Sequence, residues 1–324
     1  MKFQWNLFKS FSSIVLIGSC FSATADYSDH PRTQEFIQEA AKEYNLDPKE
    51  ISQWLSQAEK LQSVLDAIER PAEKTIEWDK YQDIFLTEKR IADGKVFLQK
   101  HQDLLEKAEK KYGVDKHIIA AIIGVETFYG ARQGSYRVLD SLATLAFDYP
   151  KRPLFWRELK AFFELAREEG LDPGTIKGSY AGAMGYGQFI PTSYLAYAVD
   201  GNQDGKRDLW NNPSDAIASV ANYFKTHGWR TGEPVTQRVR VSGDKYKEII
   251  NDNLKPLWTV GQLKQMGIAP TANISDDKAA NLIKLEGKNG SEFWLGEYNF
   301  YVITRYNHSR MYAMAVYQLS EALR

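Results

Sequence analysis

Hydrophobic residues recur every three to four positions over most of the chain, which is the spacing of one face of an α-helix. The pattern first covers residues 31–90, where Phe36, Ile37, Ala40 and Tyr44 form one stripe. Further helices with this spacing are predicted over residues 93–112, 139–170 (interrupted at 149–153) and 215–227. The chain is therefore predicted to be mainly α-helical.

The pattern changes after residue 229. Short alternating runs at 235–241, 281–285 and 292–301 predict β-strands, and Lys288-Asn289-Gly290 has the residues of a hairpin turn. Helical spacing returns over 306–323. The predicted regions are a leader at 1–25, a helical N-terminal region at 26–112, a helical core at 113–229, a small β-containing insertion at 230–304 and a C-terminal helix at 305–324 that returns to the core.

One carboxylate lies on the apolar face of a predicted helix, between Asp115 as its N-cap and Gly130 as its end. Ile122 and Ile123 precede Glu126 by four and three residues, so the three side chains project from nearly the same side. Apolar surroundings disfavour a charged carboxylate and raise its pKa, as a general acid near neutral pH requires. Glu126 is thus a candidate general acid. The alternative is a buried glutamate satisfied by a neighbouring donor.

Small residues and aromatic residues alternate over residues 178–194, GSYAGAMGYGQFIPTSY. Five glycines or alanines fall within 178–185, and such a backbone can approach a ligand closely. In one interpretation, Ser179, Tyr186 and Gln188 line a saccharide groove with hydroxyl, aromatic and amide groups. In the other, the small residues form a tight contact between helices. The glycines do not follow the order of a dinucleotide-binding motif.

Residues 200–211 have the ligand spacing of an EF-hand, with oxygen-bearing side chains at positions one, three, five and nine and glycine at position six. Asn211 replaces the usual glutamate at position twelve, which predicts a weaker Ca²⁺ site. We expect one structural calcium site, and a turn without metal is the alternative. The predicted ligands are Asp200, Asn202, Asp204, Lys206 through its carbonyl oxygen, Asp208 and Asn211.

Composition excludes several classes of function. The 41 basic and 42 acidic residues give a formal net charge of -1, so nothing in the global charge suggests a nucleic acid partner. The five histidines are scattered without metal-ligand spacing, and no G-x-S-x-G motif occurs, which disfavours zinc and serine hydrolases. No organic cofactor is predicted.

The N-terminus has the features of an export signal. Two lysines precede a short apolar run at 11–21, and Ala23-Thr24-Ala25 fits the rule for cleavage after Ala25. The competing interpretation is a lipoprotein signal over residues 1–19, which makes Cys20 an acylated first residue. Residues 23–25 fit the rule for signal cleavage better than Ile17-Gly18-Ser19-Cys20 fits a lipoprotein motif. The reason is that glycine is unusual at the second position of a lipoprotein motif.

Six motifs in order resemble the lytic murein transglycosylase B family. They are GVETFYG at 124–130, LATLAFDYPKR at 142–152, the glycine-rich segment at 178–194, the loop at 200–211, SVANYFKTHGW at 219–229 and RYNHS at 305–309. The resemblance covers nearly all of the chain after the leader. It implies a monomeric bacterial enzyme of the periplasm, soluble or anchored to the outer membrane through Cys20. It further implies a lysozyme-like helical core, a groove for peptidoglycan glycan strands and a calcium-binding loop.

The resemblance also implies roles for individual residues. The glutamate of G-V-E-T is the family's catalytic acid and base, which carries that role to Glu126. The family's groove residues correspond to Ser179, Gln188, Tyr223, Tyr306 and Asn307. We add Tyr186, Lys151 and Arg152 as further candidates for substrate binding.

One catalytic carboxylate is consistent with cleavage that needs no protein nucleophile. The expected reaction breaks the bond between N-acetylmuramic acid and N-acetylglucosamine and leaves a 1,6-anhydro end without using water. Asp140 and Asp148 are candidates for a second carboxylate, but we predict structural roles for both. The alternatives are a muramidase that uses water and a non-catalytic peptidoglycan-binding protein.

Overall fold

The computed structural model describes residues 26–70, 76–250 and 253–324. Within these ranges, fourteen α-helices and two antiparallel sheets form a mainly α fold, which confirms the predicted class. The predicted leader, with Cys20 and the cleavage site, lies outside the described residues. None of the helices in these ranges has the length and apolar character needed to cross a membrane.

Four short helices come first. They are α1 (Thr33–Tyr44), α2 (Pro48–Ser56), α3 (Gln62–Glu69) and α4 (Trp78–Phe85). Helix α2 begins at Pro48, because the Asp47 carboxylate accepts the Lys49 N–H and proline suits the first helical position. Phe36 on α1 and Trp78 on α4 are almost fully buried, so both helices anchor on the main hydrophobic core.

The central helix is α7 (Lys116–Thr127), in which Ile119, Ile122 and Ile123 are fully buried. Asp115 is its N-cap, as predicted, and accepts the His117 N–H at 2.7 Å. Several helices surround it or extend the same core: α5 (Glu88–Lys100), α6 (Gln102–Tyr112), α8 (Val138–Asp148), α9 (Leu154–Glu169), α10 (Pro191–Tyr197), α11 (Pro213–Thr226), α13 (Tyr298–Tyr306) and α14 (Arg310–Ala322).

Two helix predictions are wrong in detail. The single helix expected over 93–112 is divided at His101 (φ −115°, ψ 26°), which lets α5 pack on α7 while α6 packs on α7 and α11. Helix α7 ends at Thr127 rather than at Gly130. Phe128 and Tyr129 both adopt left-handed backbone conformations (φ 53° and 61°), which terminate the helix before the glycine.

A small β region follows α11 and confirms the predicted change of pattern. Its strands are β3 (Thr236–Val241), β4 (Trp258–Thr259), β5 (Ile268–Pro270), β6 (Ala279–Gly287) and β7 (Gly290–Gly296). They form one antiparallel sheet in the order β4-β6-β7-β3-β5. The hairpin between β6 and β7 turns at the predicted residues. Helix α12 (Val260–Gln265) covers this sheet with a second, smaller core.

The expected strand over 292–301 is wrong in its second half. Strand β7 ends at Gly296 and helix α13 begins at Tyr298, because the buried Glu297 leaves the sheet and Phe300, Val302 and Ile303 turn onto the main core. Tyr306 ends α13 instead of beginning the last helix. Strands β1 (Tyr136–Arg137) and β2 (Lys177–Gly178) form a separate two-stranded ribbon beside the glycine-rich segment.

Candidate active site

Glu126 lies one residue before the end of α7 and is partly exposed, whereas its neighbours Val125 and Thr127 are buried. The turn that follows is held by the Thr127 hydroxyl, which donates to the Tyr186 carbonyl at 2.8 Å and accepts the Gly130 N–H at 2.9 Å. The carboxylate therefore stands at a fixed position where the apolar helix meets the surface.

A buried tyrosine holds this carboxylate. The Tyr312 hydroxyl, on α14, donates a hydrogen bond of 2.6 Å to Glu126 Oε1. Burial, together with the nearby Glu126 charge, raises the pKa of Tyr312 well above its usual range, so the phenol stays protonated and remains a donor. Sequence reasoning missed Tyr312, because it looks like any aromatic residue on the buried stripe of a helix.

Two further tyrosines, Tyr306 and Tyr223, pack together near this pair. Burial raises the pKa of Tyr306, and the Glu126 charge raises it further, which places this phenol close to the carboxylate. The Tyr306 hydroxyl donates to the Gly187 carbonyl, and a Cβ on Gly187 would lie 2.8 Å from that hydroxyl. The rings of Tyr223 and Tyr306 meet edge to face at 4.8 Å. Glycine at 187 thus permits close contact between two segments of the site.

Residues 178–190 of the glycine-rich segment form turns and short bridges, and helix begins only at Pro191, so the alternative of a tight contact between helices is wrong for its small residues. The Ser179 hydroxyl accepts the backbone N–H groups of Ala181 and Ala183. Gln188 has a left-handed backbone (φ 50°), and its amide donates to the Gly185 and Gln133 carbonyls.

The ring of Tyr186 packs on Gly130, where a Cβ would lie 2.2 Å from the ring. Tyr186 and Gln188 are therefore fixed against the turn that follows Glu126. Asn307 directly follows Tyr306 at the end of α13 and is partly buried.

Lys151 and Arg152 lie elsewhere, in the connection between α8 and α9. Both are exposed, and the Lys151 ammonium is 3.1 Å from a carboxylate oxygen of Glu69 on α3. The Lys151 ammonium also lies 5.5 Å from the centre of the Tyr149 ring. Their role in substrate binding stays a prediction.

Asp140 and Asp148 have the structural roles that we predicted. Asp140 is buried, pairs with Arg137 and accepts the Glu59 N–H. Asp148 accepts the Tyr27 hydroxyl at 2.6 Å and pairs with Lys60 at 2.8 Å. Both carboxylates attach α8 to the N-terminal helices.

The loop at 200–211 is folded around its first residue. The Asp200 carboxylate accepts the N–H groups of Gln203, Asp204 and Gly205, and Gly205 has the left-handed backbone (φ 89°) that favours glycine at position six. The Asp208 carboxylate accepts the N–H groups of Trp210 and Asn211. Asn202, Asp204 and Lys206 are exposed along the loop.

A second carboxylate that sequence reasoning missed lies behind the loop. Asp215 is fully buried on α11 and accepts the N–H groups of Gly201 and Asp208, each at 2.8 Å. Burial and the nearby Asp200 charge raise the pKa of Asp215. None of the ion pairs within the described ranges includes Asp215, so its charge and the nearby Asp200 charge have no basic partner there. A divalent cation fits such an arrangement.

Within the described residues, no three His, Cys, Asp or Glu side chains form a group that could hold a metal ion by themselves. A complete calcium ligand set would therefore need amide and carbonyl oxygens from the loop, such as those of Asn202 and Lys206.

Comparisons with known proteins show which family the chain resembles in sequence and in overall structure. Residues 28–321 match the family model described as transglycosylase SLT domain. The chain is 41% identical to membrane-bound lytic murein transglycosylase B of Escherichia coli strain K12 over 308 residues, which cover 92% of this chain and 84% of that protein. Catenated lytic transglycosylase SltB1 from Pseudomonas aeruginosa has a similar structure, with a TM-score of 0.89 at 45% identity over 92% of this chain and 98% of that one. The Escherichia coli lytic transglycosylase Slt35 in complex with calcium has a TM-score of 0.84 at 42% identity over 92% and 94% of the two chains.

Proposed function

The chain belongs to the transglycosylase SLT domain family, and we propose that Glu126 performs its reaction as general acid and then as general base. The chain is a lytic murein transglycosylase, an enzyme that acts on peptidoglycan, built on a lysozyme-like helical core. The observation that carries the proposed mechanism is the 2.6 Å hydrogen bond from the Tyr312 hydroxyl to Glu126 Oε1 at the end of an apolar helix.

In the first step, Glu126 gives its proton to the glycosidic oxygen between N-acetylmuramic acid and N-acetylglucosamine while the bond from that oxygen to the anomeric carbon breaks. The carbonyl oxygen of the muramyl N-acetyl group stabilises the anomeric carbon. The Glu126 carboxylate then takes the proton of the muramyl 6-hydroxyl, whose oxygen closes the 1,6-anhydro ring. Glu126 ends protonated, and no water is consumed.

The groove for the glycan strand is formed in this proposal by three separate segments. Ser179, Tyr186 and Gln188 contribute from the glycine-rich segment, Tyr223 from α11, and Tyr306 and Asn307 from the end of α13. The contacts of Tyr306 with Gly187 and Tyr223 support this grouping. We propose Lys151 and Arg152 as contacts for acidic stem peptides, because their positive charges are exposed.

The products distinguish this reaction from hydrolysis. Digestion of purified sacculi is expected to give muramyl ends that are one water lighter than reducing ends and that resist borohydride reduction. Reducing ends would support a muramidase that uses water. The absence of any product with intact Glu126 would support a non-catalytic binding protein. Asp140 and Asp148 are engaged away from the site, which favours the mechanism without a second carboxylate.

We propose that the loop at 200–211 binds one Ca²⁺ as a structural ion. The ligands are Asp200, Asn202, Asp204, the Lys206 carbonyl oxygen, Asp208 and Asn211. Asp215 would supply the carboxylate that Asn211 lacks at position twelve. When bound, calcium neutralises the facing Asp200 and Asp215 charges and ties the loop to α11.

We further propose export to the periplasm with cleavage after Ala25. The basis is the match of residues 23–25 to a cleavage site, and the competing product carries a lipid on Cys20 that anchors it to the outer membrane. Intact-mass measurement of protein purified from its native envelope separates the two. A species that begins at Asp26 without lipid supports cleavage, and an acylated Cys20 contradicts it.

A further inference from the structure

A cavity of about 380 Å³ lies between the end of α9, strand β2 and the second half of the loop at 200–211. None of the proposed groove residues lines it, and Glu126 does not line it either. The Trp210 indole N–H donates to the Lys177 carbonyl on β2 at 3.1 Å, and β2 leads directly to Ser179. The cavity is therefore separate from the proposed groove but adjacent to it along the chain.

One side of the cavity is an aromatic and aliphatic wall. The Trp210 ring forms this wall, the fully buried Tyr194 ring supports it at 5.8 Å and a tilt of 35°, and the exposed Leu171 extends the apolar surface. Trp210 is partly exposed, and its hydrogen bond to the Lys177 carbonyl fixes the plane of the indole. An exposed, fixed aromatic ring suits the apolar face of a sugar ring, and the size lies within the usual range for small-ligand sites.

The mouth of the cavity carries unpaired positive charge. The Arg207 guanidinium donates to Glu168 and Glu169, and the Asp208 carboxylate, a proposed calcium ligand, also lines the cavity. Lys177 and Lys206 are both exposed, and neither enters an ion pair within the described part of the chain. A ligand with an apolar ring face could pack on the Trp210 wall. Carboxylate groups on the same ligand could pair with Lys177 and Lys206 at the mouth, which we call the rim.

We infer that this cavity is a second binding site for murein, which takes an N-acetylated muramyl sugar bearing an acidic stem peptide. The inference rests on the proposed function, because that function supplies a ligand of this class. The sugar ring lies on Trp210 and the peptide carboxylates lie near Lys177 and Lys206. A second contact on the same polymer raises the effective concentration of the strand at the catalytic groove.

Binding is tested in the Glu126→Gln variant, which does not consume the ligand. The probe is a soluble disaccharide tetrapeptide from murein, titrated with saturating Ca²⁺ into protein labelled with ¹⁵N at tryptophan. The Trp210 indole signal, assigned from a Trp210→Phe variant, is expected to shift and saturate. Reversal of both charges, Lys177→Glu with Lys206→Glu, is expected to weaken that binding about tenfold or more.

The matched control reverses two other exposed lysines, Lys42→Glu with Lys110→Glu, which also enter no ion pair in the described ranges. This control is expected to titrate like the parent protein. The inference is overturned if the Trp210 signal does not respond, or if the Lys177 and Lys206 reversals leave the affinity unchanged. Equal affinity for a peptide-free N-acetylglucosamine oligomer would also overturn it, because the rim charges would then play no part.

A second measurement uses protein with Glu126 intact. The reversal at Lys177 alone, which lies outside the loop at 200–211, is expected to slow digestion of intact sacculi severalfold and to leave cleavage of a short soluble strand unchanged. Equal loss on both substrates would overturn the inference. Its failure is distinguishable from failure of the proposed function, since anhydro ends can form without any Trp210 response. Conversely, the Trp210 titration remains decisive if Glu126 is not the catalytic acid.

Discussion

Deleting one hydroxyl group tests the proposed catalytic geometry. Tyr312→Phe removes the donor to Glu126 Oε1 and leaves the aromatic ring, which is 3% exposed, packed in the core. A hydrogen bond to a charged group contributes about 1.5–3 kcal/mol, which corresponds to roughly a 10- to 150-fold loss in kcat/KM if the whole interaction acts in the transition state. Stability should change little, because Glu126 is partly exposed and water can replace the lost donor.

The pH dependence should change in a defined direction. The Tyr312 hydroxyl favours the charged carboxylate, so its removal favours the protonated carboxyl group of Glu126. The first step needs the proton of the Glu126 carboxyl group. Activity therefore falls when rising pH removes that proton. In Tyr312→Phe, the alkaline limb of the kcat/KM profile is therefore expected to move to higher pH. A merely structural role would lower activity without moving the limb.

Tyr317→Phe is the matched control. Tyr317 lies on the same helix, is partly buried and packs against Trp294, away from Glu126. We expect wild-type kinetics for this variant, measured by release of soluble fragments from labelled sacculi over a range of pH. If Tyr312→Phe stays within two- to threefold of wild type and keeps the same pH profile, the assigned role of Tyr312 is wrong.

Three further predictions concern the catalytic carboxylate, the calcium loop and the helix that carries the site. Glu126→Gln should lower cleavage of sacculi by at least about 10²–10⁴-fold while its melting curve and glycan binding stay near wild type; activity within a few-fold would rule out the assignment. Calcium should raise the melting temperature of the wild-type protein, and Asp200→Ala or Asp215→Asn should abolish that increase. Identical wild-type melting curves in calcium and in chelator would exclude a structural ion. Desolvation alone would raise the pKa of Asp115, but hydrogen bonds from Arg324 and from the His117 N–H and ring hold it below its usual range. Its stabilising effect is thus present above the ordinary aspartate pKa and lost as pH falls through the depressed value. Asp115→Ala should therefore cost about 1–2 kcal/mol at pH 7 and little in strong acid, and an equal cost at both pH values in denaturant titrations would contradict this.

Local signals made much of the fold predictable. The start of α2 at Pro48 and the N-cap at Asp115 depend on residues within one turn of the helix end, so their sequence signatures are sufficient. The hairpin at Lys288-Asn289-Gly290 is equally local. Glu126 could be found because a charged residue within an apolar helical stripe is conspicuous. Each of these features is decided by neighbours in the chain.

Other features depend on partners that are distant in sequence. Tyr312 meets Glu126 across 186 positions, and no spacing rule connects them. Asp215 looks like an ordinary first-turn acidic residue of α11, and only the fold reveals that its carboxylate accepts an N–H of the loop at 200–211. The strand that was expected to continue to Tyr301 fails for a similar reason. The apolar residues of this short segment fit either a strand or a helix. Residues 298–306 form a helix because their apolar side chains pack on the main core.

The loop at 200–211 and the turn after Glu126 are joined by hydrogen bonds, which gives the loop a wider role than closing its own chain. The Leu209 carbonyl accepts the Tyr186 N–H at 2.9 Å, and the Trp210 carbonyl accepts the Gln133 amide at 3.0 Å. The same Gln133 amide donates to the Gly130 carbonyl, and the Tyr186 carbonyl accepts the Thr127 hydroxyl. Movement of the loop end would therefore break contacts that hold the residues following Glu126. An ion that orders the loop stabilises the turn through these bonds, so loss of calcium should loosen the catalytic turn before the helical core unfolds.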